Sequence, residues 1–184
     1  MNEMHIQSIN LSRLMREGGS TDARGEILDY ISLEKEHIPL EGPTQWKVAV
    51  TRLEGEGGQE FWLSGEIAGY AILECRRCLT PTPTPVRAHF QYMLRYQPGL
   101  AELQAIEEDE EEILLFGHPD LDLGPLLSEA FALELPFTTL CKADCKGLCP
   151  VCGANLNEVD CGHHEKPQTR LGAALSKLMG DLKD

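Results

Sequence analysis

The residues of this 184-residue chain best suited to chemistry are its cysteines. Five of the seven fall in one run, "LCKADCKGLCPVCGANLNEVDCGHH", at residues 140–164. A Cys-x-x-Cys turn folds two sulfurs to a common side and places both on one ion. The chain has two such turns, Cys75-Arg-Arg-Cys78 and Cys149-Pro-Val-Cys152. The second continues into Gly153, where a glycine lets backbone amides turn inward toward sulfur. Around it lie Cys141, Cys145, Cys161, His163 and His164. Seven cysteines and one histidine make eight donors, enough for two four-coordinate sites. Three partitions are open. One site is built from Cys145, Cys149, Cys152 and Cys161. Alternatively, Cys75 and Cys78 join Cys149 and Cys152. In the third, Cys149, Cys152, Cys161 and His163 hold one ion, and Cys75, Cys78, Cys141 and Cys145 hold another.

Competing chemistries fit less well. An odd number of cysteines leaves one over in a disulfide framework. The N-terminus lacks a basic start followed by an apolar block, and no run of eighteen apolar residues occurs. The expected compartment is therefore the cytoplasm, where thiols stay reduced and metal ligation is favoured. A catalytic zinc keeps a water position and a nearby base, whereas this cluster is thiolate-rich with donors in excess. A redox role for Cys75 and Cys78 lacks the helix N-terminus that tunes oxidoreductase thiols, because "TPTPTP" follows. No phosphate loop, nucleophile elbow or HExxH is present, so neither an enzyme nor a small-molecule substrate is expected.

Charge is unevenly placed. The net charge is −14, all of it before residue 141. It is densest from Glu102 to Asp122, where Glu107, Glu108, Asp109, Glu110, Glu111 and Glu112 run unbroken. Such a run reads as a solvated loop that attracts a basic partner and repels bare nucleic acid at long range. The sign reverses locally between Cys75 and Ala101, where Arg76, Arg77, Arg87 and Arg95 have no acid among them.

The elements that must position these groups are mostly strands. Met4–Ser12 alternates weakly, Gly18–Thr21 reads as a loop, and "DARGEILDYISLE" is too mixed to assign. Gln45–Leu53 alternates with period two, Gly55–Gly58 is a turn, and Phe61–Leu73 is a second strand bent near Gly65 or Gly69. The prolines of Thr80–Pro85 forbid helix. Val86–Tyr96 is a half-buried antiparallel strand, with Arg87, His89 and Arg95 on its polar face. Ile113–Phe116 is a short strand. Asp122 caps a largely buried helix that runs to about Leu135 and stops at Pro136. Thr169–Leu182 carries a helical apolar stripe that docks on the core. The expected fold is α+β: an antiparallel β-sheet core, a buried helix, a cysteine-rich zinc knuckle and a C-terminal helix. It forms one domain over residues 1–184, divided into a β-rich part (1–100), an acidic loop (101–122) and the helix, knuckle and C-terminal helix (123–184).

"ECRRCLTP" after an alternating strand, then the acidic loop, "LDLGPLLSEAFALELP", the cysteine run and "RLGAALSKL" together resemble the YceD-type family. That bacterial family is named for accumulation of large-subunit ribosomal RNA. The likeness runs from about Gln45 to Leu182, and "CKGLCPVCGANLN" is its most specific part. The family commonly ends its motif in Cys-x-Cys; here Cys161-Gly162-His163 stands there, and a histidine remains compatible with zinc. The resemblance implies a non-enzymatic role in synthesis, processing or stability of 23S ribosomal RNA during ribosome assembly. Structural zinc, as one or two ions, is the implied cofactor. The implied partners are large-subunit RNA or a pre-ribosomal particle, and a small basic ribosomal protein, whose gene often adjoins the family's; no membrane is implied. Two mechanisms follow. Arg76, Arg77, Arg87 and Arg95, extended by Lys142 and Lys146, form a basic face for phosphates. Alternatively, the acidic segment chaperones the basic protein.

Overall fold

The computed structural model describes residues 7–33, 36–54, 59–108 and 110–163. The Gly55–Gly58 turn, Asp109, His164 and the Thr169–Leu182 stripe lie outside them. The chain divides into two compact units: Met1–Leu73 with Pro83–Phe137, and Glu74–Thr82 with Thr138–Asp184.

The first unit is mostly β with two helices, an α+β arrangement. Its elements are β1 (Ser8–Asn10), α1 (Ser12–Glu17), β2 (Ser20–Ile27), β3 (Tyr30–Leu33), β4 (Glu36–Pro39), β5 (Thr44–Leu53), β6 (Glu60–Glu74), β7 (Pro81–Tyr96), β8 (Gln104–Glu108), β9 (Glu111–Phe116), β10 (Asp120–Asp122) and α2 (Gly124–Leu133). Six strands form one sheet in the order β2-β5-β6-β7-β9-β8, and β1-β10 and β3-β4 form two-stranded ribbons. Among the described residues no helix is long and apolar enough to cross a membrane.

Period-two alternation builds the core. On β5, Trp46, Val48 and Val50 point inward; on β6, Phe61, Leu63 and Ile67; on β7, Val86, Ala88 and Phe90. Leu126, Leu127, Ala130 and Phe131 of α2 complete the same cluster. Each Val, Leu, Ile or Phe side chain among these, fully buried, contributes about 1.5–3 kcal/mol.

Several expectations are corrected. The N-terminal strand is only three residues long, and Ser12 already belongs to α1. Gly18–Thr21 is not all loop, because β2 begins at Ser20. The unassigned segment supplies β2 and β3. Gly25 of β2 is small because the Trp46 indole fills that space: a Cβ there would lie 2.7 Å from it. The sheet is mixed, since β7 and β9 run parallel. The acidic segment is a hairpin and not a loop, with β8 antiparallel to β9 and Glu110 at φ +68° beside the turn. Apolar register pairs Ala105–Leu114 and Ile106–Ile113 hold it despite the carboxylates. The helix starts after Leu123, while the Asp122 carboxylate accepts the Gly124 N–H at 2.9 Å, and it ends at Leu133, before Pro136.

The proline run is itself strand, and β7 begins at Pro81. The Tyr96 N–H donates to the Gln59 carbonyl, so even-numbered amides face β6. Pro81, Pro83 and Pro85 lack donors on the opposite edge, where β9 pairs only with Met93–Tyr96.

Gly65 and Gly69 are sites of close packing. A Cβ on Gly65 would sit 2.3 Å from the Phe90 ring, and one on Gly69 2.1 Å from Thr44 Oγ1. Gly65→Ala should therefore cost roughly 1–3 kcal/mol by overpacking. In urea denaturation, Phe90→Leu added to Gly65→Ala should recover part of that loss; strict additivity of the two changes would disprove the contact.

Candidate metal centre

The second unit brings the predicted donors into two groups. Cys75, Cys78, Cys141 and Cys145 form one, and Cys149, Cys152, Cys161 and His163 the other; within each, the donor atoms lie within 4.8 Å of one another. Of the three partitions, this is the third. In the first group Cys75 and Cys145 sulfurs are 3.8 Å apart, and those of Cys78 and Cys141 are 3.5 Å apart. All seven cysteines are free thiols. Each group could hold a metal ion through four protein donors.

Local backbone explains how the sulfurs converge. Residues Cys75–Thr80 form a tight turn: the Leu79 N–H donates to the Cys75 carbonyl (2.8 Å), and the Cys75 N–H to the Thr80 carbonyl (3.0 Å). A bridge from Cys75 to Thr139, with the Arg76 N–H donating to the Thr139 carbonyl (2.9 Å), brings the later segment alongside. The Arg77 guanidinium donates to the Cys145 carbonyl (2.8 Å), and the Leu148 N–H to the Arg77 carbonyl (3.1 Å). Arg77 is thus a brace of the turn. The Asn157 amide donates to Cys145 Sγ at 3.3 Å, and its Oδ1 accepts the Lys146 N–H at 3.0 Å. Sequence reasoning missed both roles; the asparagines of "GANLN" were the available signal, since that residue type ties turns to backbone.

The second group repeats the turn. Gly153 donates its N–H to the Cys149 carbonyl at 2.8 Å, as Leu79 does to Cys75. Gly153 has φ +72° and Leu79 φ +60°, so a leucine stands where the other turn has glycine. Leu79 is 55% exposed and gains little packing in return.

Electrostatics divide the thiols. Backbone amides, that of Cys141 first, bring Cys75 down to about 6 against the opposing effect of burial. The N–H groups of Cys152 and Val151 bring Cys149 to about 6. Burial resists ionisation of Cys145, but the Asn157 amide and Gly147 N–H outweigh it and lower its pKa. Cys141 is pushed up to about 12, by burial first and then by the neighbouring sulfurs. At Cys161 the His163 N–H pulls the pKa down, yet the Cys149 sulfur and burial raise it overall. Each group therefore holds a thiol poised as thiolate beside one kept protonated by burial and its neighbouring sulfurs.

The predicted RNA residues are divided between the two units. Arg76 and Arg77 are exposed in the first turn, with Lys142 and Lys146 exposed in the same unit. Arg87 and Arg95 lie on β7, in the other unit, and both meet carboxylates. Arg95 is fixed by Glu60 (2.8 Å) and Glu108, and Arg87 sits 3.6 Å from Glu66. The stretch without acid in the sequence is thus neutralised in part by neighbouring strands. The acidic residues Glu107 and Glu112, and Glu108 and Glu111, stand directly opposite one another across the hairpin.

The paired turns give a clean backbone test. A Cβ on Gly153 meets nothing within 4 Å, so Gly153→Ala should cost about 1 kcal/mol from conformation alone. Leu79→Gly should be neutral or stabilise by up to about 1 kcal/mol, because relief of the left-handed leucine is set against glycine's entropy. Thermal unfolding with metal present checks both; a large loss in Leu79→Gly would mean that the side chain is structurally required.

The family model for "Large ribosomal RNA subunit accumulation protein YceD" matches residues 63–179. An uncharacterized protein of Mycobacterium tuberculosis is 34% identical over 122 residues, 66% of this chain and 57% of that one. The "Large ribosomal RNA subunit accumulation protein YCED homolog 1, chloroplastic" of Zea mays is 29% identical over 139 residues, 62% of this chain and 46% of the relative. Its Arabidopsis thaliana namesake is 26% identical over 186 residues, 88% of this chain and 56% of the relative. The chain thus spans about half the length of these relatives. No solved structure matches. The matched segment takes in both Cys-x-x-Cys turns, the acidic hairpin and α2, and by that match the chain belongs to the YceD family.

Proposed function

We propose that this chain is a non-enzymatic factor that promotes synthesis, processing or stability of the large-subunit ribosomal RNA, with zinc holding its cysteine-rich unit together. The observation that carries the reading is the family match over residues 63–179, which spans the paired turns. Zinc is favoured by the donor set. A tetrahedral site with sulfur about 2.3 Å from zinc separates its sulfurs by roughly 3.8 Å. The first group's separations of 3.5 and 3.8 Å agree with this and are far longer than a disulfide's ~2.05 Å. Four protein donors in each group leave no position for a substrate or an activated water, which supports a structural role over a catalytic one.

A second reading is favoured by one observation. Glutamates opposed across the β8–β9 hairpin repel each other, an arrangement that a basic partner would relieve. On this reading the hairpin, with Glu107, Glu108, Glu110, Glu111 and Glu112, engages a small basic ribosomal protein. The bland role of the same charges is to keep the edge strand β8 from pairing with other chains.

Purified protein should contain two zinc ions per chain by elemental analysis. Cys78→Ser or Cys152→Ser should each lose one, and one or fewer in the unmutated protein would sink the two-site reading. Asn157→Leu should weaken zinc binding about tenfold in a competitive chelator titration, since it removes the donor to Cys145.

In cells, crosslinking should recover large-subunit precursor RNA, and depletion should lower that RNA relative to the small-subunit species. Unchanged RNA ratios on depletion would refute the functional reading.

A further inference from the structure

Side chains on the six-stranded sheet alternate between the core and an open face. Across that open face one line of neighbours runs through four strands. Arg24 of β2 stands opposite Lys47 of β5, Lys47 opposite Glu66 of β6, and Arg87 of β7 reaches Glu66. Lys47 and Arg87 share this single carboxylate, at 2.8 and 3.6 Å. The exposures differ sharply: the Lys47 side chain is 71% exposed and that of Arg87 68%, but that of Glu66 only 20%. The acid lies low between two cations that rise into solvent. Arg24 and Lys47 are like charges directly opposed, which destabilises the pair unless an anion intervenes. These residues line a groove of about 500 Å³ whose other charged residue is Glu26, giving three cations to two carboxylates. In a chain of net charge −14 this is a local reversal of sign.

The same face carries two aromatics. Trp62 and Tyr70 of β6 are 38% and 51% exposed. They share the parity of Glu66 and lie four residues before and after it, roughly 13 Å along the strand in each direction. A groove edged with cations and flanked by exposed aromatic rings has the physics of a surface for unpaired nucleic acid, in which cations track the backbone and bases stack on rings. A basic protein partner would instead meet cations here.

We propose that this open face is a binding platform for single-stranded RNA, with Arg24, Lys47 and Arg87 holding phosphates along the groove and Trp62 and Tyr70 stacking bases at its two ends. The proposal rests on the RNA reading above and gives it a surface. Arg95, on the same strand and face, is held by Glu60 and Glu108 and takes no part. Recognition by charge and stacking carries little sequence information, so binding is tolerant of base identity.

The test uses the full zinc-loaded chain, a labelled oligouridylate of about 15 nucleotides and a large-subunit RNA transcript, titrated by fluorescence anisotropy across salt. Three phosphate contacts predict log affinity falling with log salt at a slope of about −2. Arg24→Glu with Arg87→Glu should weaken binding at least tenfold and flatten that slope. Trp62→Ala and Tyr70→Ala should each weaken it about fivefold or more, and Trp62→Phe should keep most of it. Circular dichroism and zinc content verify that each variant is folded. Unchanged affinity in folded Arg24→Glu/Arg87→Glu protein overturns the platform. If Arg76→Glu alone abolishes binding, the RNA reading stands and its site lies in the zinc-binding unit. If unmutated protein binds neither RNA at low salt, the RNA reading fails, and the platform with it.

Discussion

Strict alternation along β5, β6 and β7 is the constraint on which the first unit depends. With one face packed on α2 and the neighbouring ribbons, a slip of one residue would exchange the buried side chains for those of the open, more polar face. Two close contacts fix the register further. The Phe90 ring occupies the place of a side chain at Gly65, and Thr44 does the same at Gly69. The pattern that buries Val48, Leu63 and Ala88 necessarily gathers Lys47, Glu66 and Arg87 on the opposite face. Core and candidate binding surface are thus two readings of one periodicity.

Among the described residues of the second unit the buried cluster is small. Its buried cluster is three cysteines with Leu140, Cys141 and Leu148 around them. Each donor group there could hold a metal ion, whose bonds to sulfur would add to this small cluster. The braces found there converge on the donor residues: Arg77 on the Cys145 carbonyl, Asn157 on the Cys145 sulfur, inward N–H groups on Cys75 and Cys149. They fix where the donors stand before any ion arrives.

Much of this was legible in the sequence, and the failures have physical causes. β5, β6 and β9 and the helix α2 follow from alternation and from a cluster of apolar positions. β2 does not, because before Ile27 its inward residues Thr21, Ala23 and Gly25 are small, Gly25 to admit Trp46, and small residues carry little hydrophobic signal. Strand direction leaves no trace in composition, so the parallel pairing of β7 with β9 was hidden. The acidic hairpin was misread because its pairing rests on Ala105 and Ile106, outvoted in any local average by six consecutive acids. At the metal centre the donors could be counted, but their partition could not. Spacing fixes which sulfurs share a turn, while tertiary hydrogen bonds decide which turns share an ion.

The partition also dictates an order of assembly. The Cys149–His163 group closes within one short stretch, so a metal ion it would hold could be captured as soon as that stretch is made. The other group joins sulfurs 63 and 70 residues apart. Cys75 and Cys78 leave the ribosome early and must wait, unpaired and reactive, until Cys141 and Cys145 follow. Loop-closure entropy grows with length, by about 0.6 kcal/mol per doubling, so the local clasp is favoured first and the long one second. If both groups take up metal, the first Cys-x-x-Cys would stay open to the wrong ion or to oxidation during that interval, and the late clasp would join two segments far apart in the chain.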